Sequence, residues 1–264
     1  MKSALIPILD YARLAGAVYY NKQAKEALPH HLTHSGWFIP KEINSTANFK
    51  SNFFSRLYLR KNQAGKVDAA VVAFRGTMPY QHPYNDISDF KMAVLHELPI
   101  SYKSARTFFH KARWYVRDNY PGVNVKLTGH SLGGALAQLV AAKNGQTAVV
   151  FNSPGIGELP NIHTGKNYHR NIHNINAKDG YINKVGKVIG SVQTIEVPQG
   201  EDHLKKASKM EHDHLDLLFG LSGVLVKDGK VTNEEMKGYY QQHIIKNMIE
   251  ALKHHRLSSP PYAY

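Results

Sequence analysis

Gly129-His130-Ser131-Leu132-Gly133-Gly134 is a stretch in which residue types and spacing together specify a reaction. The pattern G-x-S-x-G follows a β-rich run (Val123, Val125, Leu127) and precedes a run of small, helix-compatible residues, which is the strand–elbow–helix setting a serine nucleophile requires. So tight a turn holds its central residue in strained backbone. Glycines at 129 and 133 leave out the β-carbons that would strike the neighbouring chain, and Ser131 is pushed out at the C-terminal edge of the sheet, where ligands of open α/β sheets bind. A serine hydroxyl attacks only when a base takes its proton, so the chemistry would be acyl transfer. The helix that starts at Leu132 aims its amides and its positive dipole end at the reacting centre, making the Leu132 amide one oxyanion donor. His130 is read as packing the elbow and pointing away from the serine.

A second oxyanion donor should come from the loop after an earlier strand. Phe74-Arg75-Gly76-Thr77 is such a loop: a buried strand stops there and a glycine lets the backbone turn. F-R-G-T followed some fifty residues later by G-H-S-L-G-G resembles the class 3 lipases, the family of the filamentous-fungal lipases and many bacterial relatives. The resemblance runs from about Val67 to Gly220, and Tyr11-Ala12-Arg13-Leu14-Ala15 also looks like the opening of bacterial members. It implies an α/β-hydrolase fold, lipid ester hydrolysis without a cofactor, and an oxyanion role for the Thr77 amide and hydroxyl.

Hydrolases of this shape run serine, then acid, then histidine along the chain. The family's acid follows a strand in a segment like N-D-x-V-P; Asp179, in Asn174-Ile175-Asn176-Ala177-Lys178-Asp179-Gly180, matches it, although no proline follows at the family's position. The family's histidine stands in a motif like H-L-x-x-F-G. His214, in His214-Leu215-Asp216-Leu217-Leu218-Phe219-Gly220, resembles it with one residue extra, and His212 is its rival two positions away. The implied catalytic set is therefore Ser131, Asp179 and His214. Met78 to Leu98 falls where the family carries a lid; its apolar side chains either face lipid or pack over the sheet, and Asp86 and Asp89 match acidic positions of that region.

The elements that must position these residues can be read from periodicity. Leu5, Ile8, Leu9, Ala12, Ala15, Gly16 and Tyr19 recur at helical spacing, with Pro7 in the first turn. Residues 21–50 read as a polar stretch, with His30, His31 and His34 on a solvated loop rather than at a metal. Phe53–Leu59 and Val67–Phe74 read as strands around a turn at Asn62–Gly65, the second buried on both faces. Tyr102–Asn119 reads as a helix ended by Pro121-Gly122, followed by strand Val123–Thr128, helix Leu132–Lys143, strands Ala148–Asn152 and Asn171–Asn176, and an edge strand Ser191–Val197. A last helix over about Asn233–Lys253 puts Met236, Tyr240, Ile244, Met248 and Leu252 on one face. Interleaved strands and helices imply an α/β fold with a mainly parallel sheet and helices on both faces. The expected organisation is one domain over 1–264: an N-terminal helix and extension (1–60), a catalytic core (61–220) and a C-terminal helix and tail (221–264).

Composition bounds the partners. Without cysteine, disulfides, metal thiolates and cysteine nucleophiles are excluded. No run approaches the ~18 apolar residues of a membrane span, and Asp10 and Arg13 interrupt any signal-peptide core, so the expected location is cytoplasmic, or outside the cell without a cleavable signal. Lys and Arg number 33 against 20 Asp and Glu, a net charge of +13 that attracts polyanions. The expected partners are a lipid or phospholipid ester substrate and, at the periphery, an anionic membrane, with no nucleic acid; Lys246, Lys253, His254, His255 and Arg256 make either a solvated face or part of that contact. His212-Asp213-His214-Leu215-Asp216 has the form H-x-H-x-D of a zinc loop, but Leu217 stands where the next histidine belongs, so metal is set aside. The alternatives are an esterase or acyltransferase for small soluble esters, or a silent hydrolase fold serving as a basic membrane- or nucleic-acid-binding module.

Overall fold

Two cores lie on either side of one sheet, and the strand sequences show why. In β3 (Phe53–Lys61) and β4 (Val67–Phe74), Leu57, Leu59, Ala70, Val72 and Phe74 enter one core, while Phe54, Tyr58, Ala69, Val71 and Ala73 enter the other. That is the period of two expected of strands covered on both faces. The structure is a computed structural model that describes residues 4–19, 28–43, 45–48 (backbone only), 53–76, 98–99, 101–163, 169–178, 180, 184–197 and 245–254.

Strands β5 (Val125–His130), β6 (Ala148–Phe151), β7 (Ile172–Ala177) and β8 (Ser191–Ile195) continue from β4 in parallel, each beside the next. On the other side β3 is antiparallel to β4, and two short strands, β1 (Trp37–Phe38) and β2 (Ser45–Asn48), pair antiparallel with β3. The order is β1-β3-β4-β5-β6-β7-β8, with β8 at an edge as its sequence implied. Helices cover both faces. Besides α1 (Ile8–Ala17) and the short α2 (His30–His34), the described helices are α3 (Tyr102–Asn119), α4 (Leu132–Asn144) and α5 (Ile245–His254). α3 and α4 belong to one core; α1 and α5 pack on each other in the second.

Several elements depart from the sequence expectation. α1 buries Ile8, Asp10, Tyr11, Ala12, Leu14, Ala15, Gly16 and Ala17, whereas Leu5, counted on its apolar stripe, lies before the helix and is 55% exposed. Asp10 is tolerated inside because its carboxylate accepts the Trp37 indole N–H (3.0 Å) and lies 3.6 Å from Arg13. Pro7 sits at the N-cap position, one residue before the first turn. The expected histidine loop is the solvated helix α2, where the His30 and His34 rings stack one turn apart, and residues 37–38 and 45–48 add strands to a stretch read as polar and irregular. Of the last predicted helix only Ile245–His254 is described, with Met248 and Leu252 buried as expected; Met236, Tyr240 and Ile244 lie outside the described residues. No helix among the described residues is long and apolar enough to cross a membrane.

Candidate active site

β5 ends at His130 and α4 begins at Leu132, so a single residue turns the chain. Ser131 makes that turn with φ +57° and ψ −133°, a conformation strained for any residue with a β-carbon and tolerated where the surroundings over-determine it. Here the Ser131 amide donates to the Phe151 carbonyl of β6 (3.1 Å), while its own carbonyl accepts the Gly134 and Ala135 amides (2.9 and 3.2 Å). The Leu132 amide, first of the helix, takes no backbone partner among the described residues. A half-buried hydroxyl thus stands beside an open N–H at the positive end of a helix, which can stabilise negative charge developing next to the serine oxygen.

The elbow presses against the end of β4. A β-carbon on Gly133 would fall on the Phe74 carbonyl and 2.8 Å from the Gly76 nitrogen; one on Gly76 would lie 3.2 Å from Ser131 Cβ and strike the Tyr19 hydroxyl. These two glycines let the Phe74–Gly76 loop and the elbow approach at backbone distance. The Tyr19 hydroxyl, just past α1, joins them: it accepts the Gly76 amide (3.1 Å) and hydrogen-bonds His130 Nδ1 (3.0 Å). The two rings meet edge to face at 5.8 Å. His130 is buried and committed to Tyr19, which is how it packs the elbow.

Two strands away, β7 reaches the same edge of the sheet. Asn152, directly after β6 and held at φ +42°, donates its amide to Ile175 and accepts the Ala177 amide on its side-chain oxygen (2.7 Å). Lys178 donates its amide to the Ile195 carbonyl (2.9 Å), and Gly180 donates to the Ala177 carbonyl (3.1 Å). Sequence reasoning missed both Tyr19, read only as part of an apolar stripe, and Asn152. An asparagine at the end of a buried strand, where a positive φ is needed, was the available signal for the second.

Of the predicted site residues, the structure places Ser131 and Leu132 together, with Gly76 against the serine. Thr77, Asp179, His214 and the rival His212 lie outside the described residues, as do Asp86, Asp89 and all of the lid candidate but Leu98, which is 37% exposed. Among the described residues no three His, Cys, Asp or Glu side chains gather as a metal site would require.

Sheet order, helix layers and a strained serine elbow define an α/β-hydrolase. A sequence model of the Tle-like phospholipase domain matches residues 10–226, most of the chain, and the chain belongs to that family. Solved structures share the fold at low identity. MDLA of Penicillium cyclopium, in a point-mutant form, aligns with a TM-score of 0.52 at 16% identity over 73% of this chain and 80% of that one. The Rhizomucor miehei lipase, solved as a propeptide complex, aligns with a TM-score of 0.50 at 16% identity over 71% and 67%. A 40-residue stretch is 58% identical to the lipase-named protein ATG15 of Eremothecium gossypii; it is 15% of this chain and only 7% of that protein's length.

Proposed function

We propose that the chain hydrolyses acyl esters of lipids, phospholipids foremost, through an acyl-enzyme on Ser131. The observation that carries this reading is the elbow: a serine at φ +57° with the open Leu132 amide beside it. Membership of a phospholipase domain family and a fold shared with lipases support a lipid ester as substrate.

In the proposed reaction His214, oriented by Asp179, takes the Ser131 proton as the oxygen attacks the ester carbonyl. The carbonyl oxygen gathers negative charge, which the Leu132 and Thr77 amides hold, with help from the Thr77 hydroxyl. The tetrahedral intermediate collapses, His214 gives its proton to the leaving alcohol, and the acyl group stays on Ser131. Water, deprotonated in turn by His214, attacks the acyl carbonyl; fatty acid leaves and the Ser131 hydroxyl regains its proton. The scheme uses no cofactor.

An alkyl fluorophosphonate is expected to add once per chain, on the peptide containing Ser131, and Ser131→Ala is expected to lose both the label and, on the order of 10⁶-fold, the turnover. An adduct on another peptide would displace the nucleophile assignment. With phospholipid, triacylglycerol and short soluble esters offered in parallel, free fatty acid and lysophospholipid are the expected products. Turnover confined to the short esters would make the chain a small-ester esterase.

A further inference from the structure

Helix α3 has two faces of opposite chemistry. Ala105, Phe108, Phe109, Ala112 and Val116 are buried in the core it shares with α4. Outward, Lys103, Arg106, His110, Arg113 and Arg117 follow at steps of three and four residues, which sets them on one stripe along about 21 Å of helix. Lys111 adds a further exposed cation beside it. The helix carries a single carboxylate, Asp118, and it pairs with Arg117 at 2.8 Å. Among the described residues no carboxylate pairs with Lys103, Arg106, Lys111 or Arg113.

Two features go beyond a face that merely keeps the protein in solution. Trp114 lies beside the stripe, 57% exposed, its ring against His110. A solvating face gains nothing from a bare indole, whereas indole rings partition to the headgroup level of a bilayer. The stripe also opens at Arg106 into a cleft of about 530 Å³ lined by Tyr102, Lys143, Asn144, Asn161 and His163, where the Lys143 ammonium donates to the Pro160 carbonyl (3.3 Å) and the Asn144 side-chain amide to the Val140 carbonyl (2.7 Å). Burial first, then the Arg106 and Arg113 charges, hold His110 below the usual histidine range, so the charge of the stripe comes from Lys103, Arg106, Arg113 and Arg117.

We infer that α3 is a membrane-docking surface for anionic phospholipid: the stripe lies on the charged headgroups, Trp114 enters the interfacial layer, and a headgroup phosphate fits the Arg106–Lys143–His163 cleft. The inference takes its choice of a bilayer over other polyanions from the proposed lipid ester substrate, so its test reads binding and not turnover.

Full-length Ser131→Ala protein, unable to consume the vesicles, is floated with phosphatidylcholine vesicles and with mixed phosphatidylcholine–phosphatidylglycerol vesicles at low and physiological salt. Preferential flotation with the anionic vesicles, weakened by salt, is expected. Each cation near such a surface is worth about fivefold in partitioning, so Lys103→Gln/Arg106→Gln/Arg113→Gln should lose on the order of 100-fold. Trp114→Ala should remove most of the binding that survives salt. The same substitutions with Ser131 intact should leave hydrolysis of a short soluble ester and the melting temperature unchanged. A triple variant that floats like its parent overturns the inference, and so does tighter retention of duplex DNA than of anionic vesicles at equal salt. Failure of the fluorophosphonate label with flotation intact would remove the hydrolase reading and leave the docking surface standing.

Discussion

Ser131 is held at φ +57° by bonds from both sides of the turn, the Phe151 carbonyl on one and the first helical amides on the other, so the backbone that carries its hydroxyl is set before any substrate arrives. To attack an ester the hydroxyl needs a base to take its proton. His214 and His212 stand two positions apart, and the proposed mechanism needs one of them. His214→Ala is expected to reduce kcat about as far as Ser131→Ala, because triad members act as a unit, while His212→Ala should cost less than about tenfold. Asp179→Asn should cost about 10⁴-fold through the wrong imidazole tautomer. Steady-state kinetics on one soluble ester rank all three, and a larger loss at His212 would move the base there. At this scale the sequence was legible where chemistry forces a local pattern. The G-x-S-x-G spacing exposes Ser131 because the turn tolerates so few residue types. Tyr19 and Asn152 were not legible, since their work depends on partners at Gly76, His130 and Ala177 that only the fold brings near.

The elbow, the end of β4 and the end of α1 meet at one hydroxyl, that of Tyr19. Tyr19→Phe keeps the ring and removes the group that accepts the Gly76 amide and reaches His130. The predicted result is a kcat lowered roughly tenfold with KM almost unchanged, because a loop that drifts by a fraction of an ångström would misplace the proposed Thr77 donor, which acts only on charge that develops in the transition state. Stability should fall by about 1 kcal/mol, the ordinary worth of such a bond. A lowered melting temperature with kcat intact would reduce Tyr19 to a structural tie. Among the elements, α3 was read from the sequence with both ends correct, because its apolar positions keep helical spacing and Pro121-Gly122 stops it. α2, β1 and β2 were missed because five residues of HHLTH and strands of two and four residues carry no period long enough to detect. α1 was recognised as a helix from the spacing of its apolar residues, but the burial of Asp10 was not legible, since it depends on Trp37.

For the molecule as a whole, acid should loosen the fold through buried imidazole. His173, on β7, is buried and hydrogen-bonded to Ser191 Oγ of the edge strand at 2.8 Å; burial holds its pKa below the usual histidine range. The folded state favours the neutral ring. The stabilisation is therefore complete above the unfolded value of about 6.5 and is lost as pH falls through the lower folded value. Urea melts between pH 8 and about 5 should show stability declining only on the acid side of that range, and His173→Gln should flatten the decline; an equal slope in the variant would assign it to other groups.

The packing of α1 on α5 has a consequence for how the chain is made. Gly16 lies against Ile249, so the second core closes only with a helix more than two hundred residues downstream. At 5–20 residues per second, α1 is made roughly 11–46 s before its partner is synthesised. Throughout that interval Leu14, Ala15 and their neighbours have no α5 to cover them, so a nascent chain is exposed to chaperones and to premature association until α5 emerges, and a message truncated before Ile245 yields a protein with that core open.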